Sequence, residues 1–369
     1  MIENSEVRDR TRADGTAPST ARAPWLVRVR SVSPFVMATA ALVAAVLIGV
    51  TQGTTAIPLS TTVAMLLDRL PFIAVPVDAP ESWSRIVFDV RLPRVAAAGL
   101  VGAALAYSGT AYQGVFRNPL ADPFLLGVAS GAALGASIAI VSPLPIDSYG
   151  FAWVPLFAFG GACLAVTLVY ALSRTGNLTD NATLLLAGIA LSAVASAITS
   201  FLLLTGGPNT YPIFSFLFGG FNTASWPRLL IAVPYVAVGA LLVLVQARAL
   251  NVLQLDEEQA AHLGVDVKRT RLLVLAGASV IAAAAVAVAG IIGFVGLIVS
   301  HAVRMIAGND YRRLLPLTAI LGATFVILVD LAARRVLAPQ EVPVGIVTQI
   351  LGAPFFLYLL RRGRSAGSL

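Results

Sequence analysis

The chain has 369 residues, 58% of them hydrophobic and only 12% charged, with a formal net charge of +7 and a mean hydropathy of +0.86. Soluble domains carry about 25% charged residues, so the composition excludes a soluble globular protein. Long, continuous apolar runs disfavour a β-barrel, whose strands alternate in polarity, and the single cysteine, Cys163, excludes an intrachain disulfide. We predict an all-α polytopic membrane protein.

Residues 1–33 form a polar, Arg-rich segment that contains Pro18 and Pro24. This composition is typical of a disordered tail. A secretory signal is not expected, because the charged region is too long and the apolar run after it has the length of a full span. We therefore predict a disordered cytoplasmic tail over 1–33, a transmembrane domain over 34–361 and a short cytoplasmic C-terminal tail over 362–369.

Ten apolar segments follow in chain order, most of them about 20 residues long, which is the length that a helix needs to cross the hydrocarbon core. The seventh and eighth come from one apolar run of 32 residues, Leu272 to Val303, which is too long for one span and too short for two full ones. The segment 290–293 (GIIG) offers a tight reversal within this run. The predicted spans are 34–53, 93–114, 124–142, 152–172, 182–204, 226–246, 271–289, 294–307, 314–331 and 345–361.

The distribution of basic residues between the loops sets the predicted orientation. Ten spans place both termini on one side of the membrane. If that side is the cytoplasm, 18 of the 25 basic residues lie inside and 7 lie outside, as the positive-inside rule requires. We therefore predict cytoplasmic termini, and the positive net charge does not call for a nucleic-acid partner.

Residues 250–271 form a charged segment on the predicted cytoplasmic side. Asp256 is placed to cap a helix, with Glu257 and Glu258 in the first turn, where the helix dipole favours anions. Gly264 is a natural helix stop. A helix of about two turns is too short to be stable alone, so we expect it to dock on a partner. Its apolar side would comprise Leu255, Ala260 and Leu263.

The link between the second and third spans reads NPLADP over residues 118–123. Pro119 and Pro123 would end one helix and start the next, with Asp122 as the cap. Plain turn chemistry and a constriction at the cytoplasmic mouth are both open interpretations. In the third span, glycines recur every four residues from Gly127 to Gly135, a spacing that lets helix backbones approach closely in lipid.

Five blocks of sequence carry a resemblance to a known family. Arg91-Leu92-Pro93-Arg94 is followed by VAAAGLVGAALAYSGTAYQGVFRNPLADPFLLGVASGA, and the other blocks are 253–265, AGIIGFVGLIVSHAVR, GNDYRRLLP and EVPVGIVTQILGAPFFLYLLRR. Over about residues 85–361, in order and spacing, they resemble the iron–siderophore and vitamin B12 (FecCD-type) permeases of ABC importers. The resemblance implies a type II ABC importer permease architecture.

The resemblance also implies partners and a function. This chain would be a permease subunit that pairs with a second permease, either a copy of itself or a paralogue. Two cytoplasmic ATPase subunits would use ATP and Mg to drive it, and an extracytoplasmic binding protein would deliver the ligand. The cargo would be an iron(III)–siderophore, or haem or cobalamin, crossing the bacterial cytoplasmic membrane. No cofactor or metal is expected on this chain itself.

By position, the resemblance implies three groups of functional residues. Those that would couple the permease to the ATPase are Leu255, Asp256, Glu257, Glu258, Ala260, Leu263 and Gly264. The outer arginines that would meet carboxylates of the binding protein, unless they only snorkel to the interface, are Arg91, Arg94 and Arg334. The residues of the cytoplasmic gate would be Asn118, Leu120 and Asn181. Departures from the family are Ile291 and Ser300, where proline is usual, and Asp256, where glycine is usual.

Other functions find less support in the residues. The only lysine, Lys268, is not preceded by glycine, so the chain carries no GxxxxGK[ST] phosphate loop and ATP hydrolysis is expected elsewhere. An ion-coupled secondary transporter would need charges near mid-membrane, which only Asp330 approaches. A membrane anchor without a path is the third alternative. Asp330 is expected to pair with Arg334, and His301 to be packed or hydrogen-bonded and not a metal ligand.

Overall fold

The computed structural model describes the chain from residue 33 almost to its C-terminus, with Pro34 onward forming one unit. The tail predicted over 1–33 lies outside the described residues apart from Ser33. The described ranges are 33–53, 55, 57–69, 75–76, 79–143, 147–148, 151–175, 178–179, 181–255 and 257–366.

The described residues are helical apart from loops and two short antiparallel hairpins, β1–β2 (Asp147–Ser148, Phe151–Ala152) and β3–β4 (Arg174–Thr175, Leu178–Thr179). A π-helical turn, Ile86–Arg91, leads into α4, and 3₁₀ turns cover Pro123–Leu126 and Gly207–Asn209. The α-helices are α1 Pro34–Thr51, α2 Leu59–Asp68, α3 Glu81–Arg85, α4 Leu92–Phe116, α5 Val128–Val141, α6 Trp153–Leu172, α7 Asn181–Thr205, α8 Thr210–Phe218, α9 Trp226–Val245, α10 Ala247–Val252, α11 Glu257–His262, α12 Val267–Ala289, α13 Val295–Ala307, α14 Tyr311–Arg335 and α15 Val344–Ala366.

Each of the ten predicted spans coincides with a helix, namely α1, α4 to α7, α9 and α12 to α15. Among the described residues, six helices are long and apolar enough to cross a membrane: α1, α6, α7, α9, α12 and α14. The other spans are α4, which has 25 residues and is almost entirely buried, and the shorter apolar helices α5, α13 and α15. The all-α polytopic class is confirmed.

The predicted reversal inside the long apolar run is also confirmed. α12 ends at Ala289, the chain passes through an irregular link, and α13 starts at Val295. Gly290 has a φ of +71° and Phe294 a φ of +65°, so both residues lie in the left-handed half of backbone space. The Phe294 ring packs against Gly352 of α15, where a Cβ would come within 2.3 Å of it. The link between α12 and α13 therefore packs against α15.

Small residues bring the central helices together. α4 packs on α9, α12, α13 and α14. A Cβ added to Gly102 of α4 would lie 2.2 Å from the carbonyl oxygen of Gly322 in α14, and one added to Gly131 of α5 would lie 2.4 Å from that of Gly161 in α6. The backbones are therefore in contact, as the glycine spacing in the third span predicted. Lipid provides no hydrophobic driving force between helices, so dispersion contacts at such close approaches stabilise their packing.

Candidate functional site

The segment 250–271 contains the short helix that the sequence predicts. α11 runs from Glu257 to His262 and closes with two backbone bonds, Val265 N to Ala260 O (3.1 Å) and Gly264 N to Ala261 O (2.9 Å). With Gly264 at a φ of +81°, this is a Schellman C-cap. The predicted stop is confirmed. Asp256 lies outside the described residues, as does the side chain of Glu257.

Only part of the predicted apolar side of α11 faces the protein. Ala260 is completely buried, whereas Leu255 is 44% exposed and Leu263 is 64% exposed. Glu258 is exposed as well. A short helix that packs one side against its own domain, carries an exposed carboxylate and is flanked by two exposed leucines has a surface suited to a protein partner.

Polar contacts tie this segment to two central helices. Gln254 donates to Gly114 O of α4 (3.2 Å). Asn251 Nδ2 donates to Asp310 Oδ1 (2.7 Å), and Asn251 Oδ1 accepts from the Tyr311 amide at the start of α14 (2.8 Å). The hydrogen bond from Asn251 lowers the pKa of Asp310, and the hydrogen bond from the Arg312 amide lowers it further by a smaller amount. Side-chain bonds from the residues that precede α11 therefore join this segment to α4 and to the start of α14.

The link after α4, which the sequence predicts on the cytoplasmic side, consists of two consecutive turns. Asn118 Oδ1 accepts from the Leu120 amide (2.9 Å), and its carbonyl accepts from the Ala121 amide (3.1 Å). Asp122 Oδ1 accepts from the Phe124 amide (2.9 Å) and caps the 3₁₀ turn that begins at Pro123. Enclosure away from water raises the pKa of Asp122 to about 6. The predicted turn chemistry is confirmed, whereas the gate role of Asn118 and Leu120 stays a prediction.

Helix α7 packs directly on this link. A Cβ on Gly188 would lie 2.2 Å from Leu125 O, and Ser130 donates to Ser192 Oγ at 3.0 Å. α7 begins at Asn181, whose side chain lies outside the described residues. The helix that carries the third predicted gate residue thus touches the turn that follows the other two.

A cluster of charged residues lies where the C-terminus of α1, the N-terminus of α4 and the C-terminus of α14 meet. We call it the outer charge cluster, after the side of the membrane that the sequence predicts for it. Its members are Arg91, Arg94, Asp330, Arg334, Arg335 and Glu341. Asp330, 1% exposed, accepts a hydrogen bond from Arg94 at 2.8 Å and forms an ion pair with Arg334 at 3.1 Å. Arg94 also donates to both oxygens of Glu341 at 3.0 Å. The predicted Asp330–Arg334 pair is confirmed.

Arg91 belongs to this cluster but faces inward. It is 5% exposed, and its guanidinium donates to Val50 O (3.0 Å), Thr51 O (2.8 Å) and Thr55 O. These are carbonyls at and beyond the C-terminus of α1, where a helix leaves acceptors unpaired. This burial favours a structural role, so the docking role of Arg91 stays a prediction that the geometry does not favour. The side chains of Arg94 and Arg334 keep 13% and 11% exposure.

Sequence reasoning missed Glu341. It lies 247 residues from Arg94 along the chain, so no local spacing links the two. Glu341 is the more exposed partner, at 36%. Two acids against four arginines leave the cluster with a net charge of about +2.

The two residues that replace family prolines both make polar contacts. The Ile291 amide donates to Phe216 O (3.2 Å), a bond that proline could not make. Ser300 is completely buried and donates to Gln113 Oε1 of α4 (2.9 Å). His301 meets Phe355 edge-on at 5.7 Å. In the described part of the chain, no group of three or more His, Cys, Asp or Glu side chains could hold a metal ion.

Comparison with known proteins identifies the class. The profile of the FecCD transport family matches residues 41–362, so this chain belongs to that family of ABC transport permeases. It is 48% identical over 282 residues to the cobalamin import system permease protein BtuC of Halobacterium salinarum, covering 76% of this chain and 75% of that one.

Two further relatives carry different names. The chain is 44% identical to the hemin transport system permease protein HmuU of Yersinia pestis, over 78% of this chain and 86% of that one. It is 38% identical to the Fe(3+) dicitrate transport system permease protein FecC of Escherichia coli, over 78% and 86%.

A solved structure agrees in fold. A metal-chelate type ABC transporter in an inward-facing conformation superposes with a TM-score of 0.75 at 34% identity, covering 89% of this chain and 98% of that one. The chain is an integral-membrane permease of a metal-chelate ABC importer, and the predicted family and architecture are confirmed.

Proposed function

We propose that this chain is the permease subunit of an ATP-driven importer that carries an iron(III)–siderophore across the bacterial cytoplasmic membrane. It would act with a second permease subunit, two cytoplasmic ATPase subunits and an extracytoplasmic binding protein, with both of its termini in the cytoplasm. The single observation that most strongly supports assignment to this class of transporter is the family match over residues 41–362. Relatives named for ferric dicitrate, iron chelatin and ferric citrate support the cargo.

The coupling step would begin at α11. An ATPase groove that received Leu255 and Leu263 would move α11, and the bonds from Asn251 and Gln254 would transmit the movement to α14 and α4. Because α4 leads into the 118–126 link, on which α7 packs, the same movement would reach the proposed cytoplasmic gate at Asn118, Leu120 and Asn181. ATP and Mg would remain on the ATPase.

The outer charge cluster would receive the binding protein. A net charge of about +2 attracts carboxylates, which accelerates association and fixes register more than it adds affinity. Arg94 and Arg334 are the better candidates, because they retain some exposure. Arg91 would act by holding the end of α1 in place.

The cargo can be tested by uptake. A deletion strain, with and without this chain restored, would be given labelled ferric siderophores, haem and cobalamin in parallel. We expect selective loss of a ferric siderophore. Loss of haem uptake alone would retain the mechanism and overturn the cargo, and no loss of any of the three would contradict a transport role in that strain.

Cobalamin is the second candidate, because the relative named for cobalamin import is 48% identical to this chain over 282 aligned residues. Selective loss of cobalamin uptake in the same experiment would establish it. A strain that restores the chain with Ala260→Pro would separate permease function from expression effects.

A further inference from the structure

A groove runs between α6 and α9 on the surface of the helical bundle. Both helices pack on α12, and the small side chains of Ala284, Ala287 and Val288 form the floor between them. Pro155 and Phe159 form one wall, and Ile231 and Tyr235 form the other. The groove encloses about 80 Å³.

The groove has a closed end and a charged end. Phe159 and Tyr235 meet with ring centroids 5.0 Å apart and close it toward the membrane centre. Arg228 lies at the other end, in the first turn of α9. From Arg228 to Tyr235 the helix rises about 10 Å, less than the roughly 15 Å of one hydrocarbon leaflet. α6 and α9 both begin here and α12 ends here, so the charged end lies at a membrane surface.

The charge of Arg228 fits an anion. Its guanidinium donates to Thr223 O at 3.2 Å, and no acidic side chain among the described residues pairs with it. An arginine has five N–H donors, so others remain for a phosphate, which it binds in charge-assisted, often bidentate geometry. Trp226, two residues earlier in the same turn, donates to Phe88 O at 3.0 Å and has the interfacial position typical of tryptophan.

We infer that this groove binds a glycerophospholipid, with one acyl chain on the alanine floor and the phosphate on Arg228. The groove is too small for a helix, whose diameter is about 10 Å. Its enclosed volume admits only a short stretch of one hydrocarbon chain, and the rest of that chain would lie along the apolar surface. The walls are apolar over the length of the groove, and the one charge lies at its membrane-surface end. This inference does not depend on the cargo or on the assembly of the importer.

The test uses the intact importer complex, purified in dodecyl maltoside and examined by native mass spectrometry after addition of phosphatidylglycerol. Ile231→Trp fills the groove. Leu230→Trp is the matched control, because it adds the same ring at the same depth, from a side chain that is 65% exposed and faces away from the groove. Arg228→Gln removes the charge.

We expect one retained phosphatidylglycerol in the wild type and in Leu230→Trp. Retention should be about tenfold weaker in Arg228→Gln, the loss expected for a charge-assisted hydrogen bond, and at least as weak in Ile231→Trp, where the new ring occupies the place of the acyl chain. Equal retention in all four proteins would show unspecific surface lipid and overturn the inference. Loss in Ile231→Trp but not in Arg228→Gln would overturn the phosphate contact. A bound polypeptide in place of lipid would also contradict it.

Discussion

At the scale of single residues, Asp330 decides the arrangement of the outer end. A carboxylate that is 1% exposed is costly without partners, and loss of one partner of a buried pair costs about 3–5 kcal/mol. Arg94 and Arg334 supply those partners. This pairing explains why Asp330 is tolerated in an apolar helix, and it supports no role for Asp330 as an ion-coupling residue of a secondary transporter.

Glu341 and Arg94 give the first prediction. Glu341→Gln frees one side of Arg94 and raises the net charge of the outer charge cluster, so association with the importer's binding protein should accelerate severalfold at low salt and lose this gain at high salt. Arg94→Glu should slow association. Surface plasmon resonance at two ionic strengths measures both.

The control for this prediction is Arg85→Glu, an equal charge change at an arginine that is 74% exposed and pairs only with Glu81 among the described residues. If Arg94→Glu behaved like Arg85→Glu at low salt, the docking role proposed for the cluster would be wrong.

Asp122 gives a prediction about pH. Its folded pKa of about 6 lies above the ordinary value of 3.8, so the fold favours the protonated form. The stability that this contributes is present below pH 4 and is lost as pH rises through 6. Asp122→Asn keeps the cap without a charge. Its unfolding free energy should exceed that of the wild type by about 1–3 kcal/mol at pH 7.5 and by much less near pH 4.

Thermal unfolding in detergent at the two pH values measures this difference. Asp89→Asn, at an exposed residue, is the control and should show no pH-dependent gain. A gain of the same size for Asp122→Asn at both pH values would exclude titration of Asp122 as its cause.

At the scale of elements, α11 is a short helix that depends on its surroundings. Its Schellman cap and the buried Ala260 hold it in place, because six residues form too few hydrogen bonds to repay nucleation. The contacts of Asn251 and Gln254 then join the segment to α14 and α4. These contacts are the route by which the proposed coupling movement would pass from α11 to the transmembrane domain.

Ala260→Pro tests this element. Proline inside the helix removes a backbone donor and clashes with the preceding turn, at a cost of about 3 kcal/mol. We expect ATP hydrolysis by the reconstituted complex to continue while uptake falls to background. Ala261→Ser, at the exposed neighbouring residue, should behave as wild type. Normal uptake with Ala260→Pro would remove α11 from the coupling path.

At the scale of the whole molecule, α4 is the helix on which several other helices pack. It packs on α9, α12, α13 and α14, and it begins beside the outer charge cluster and ends at the 118–126 link. Its buried Gly102 is in backbone contact with α14 and its Gly109 with α13. Close-packed interiors transmit displacement because they have little free volume. A path of contacts therefore runs from one membrane surface to the other through α4.

The orientation of the molecule can be measured by cysteine labelling. Cys163 is the only cysteine, so a Cys163→Ser background is free of thiols. In whole cells made permeable only in the outer membrane, a membrane-impermeant maleimide should label Glu81→Cys and should not label Glu258→Cys. Both positions are exposed in the structure. The reverse pattern would invert the topology proposed for the chain.

The sequence by itself determined the class, the ten helices predicted as spans, the reversal at 290–293 and the helix stop at Gly264, because apolar length and glycine chemistry are local properties. Only the tertiary structure decided which side chains meet. Glu341 reaches Arg94 across 247 residues, Arg91 turns inward to the carbonyls of α1, and α6, α9 and α12 create a groove that none of them forms alone. Such contacts depend on how helices pack, which periodicity along one chain does not encode.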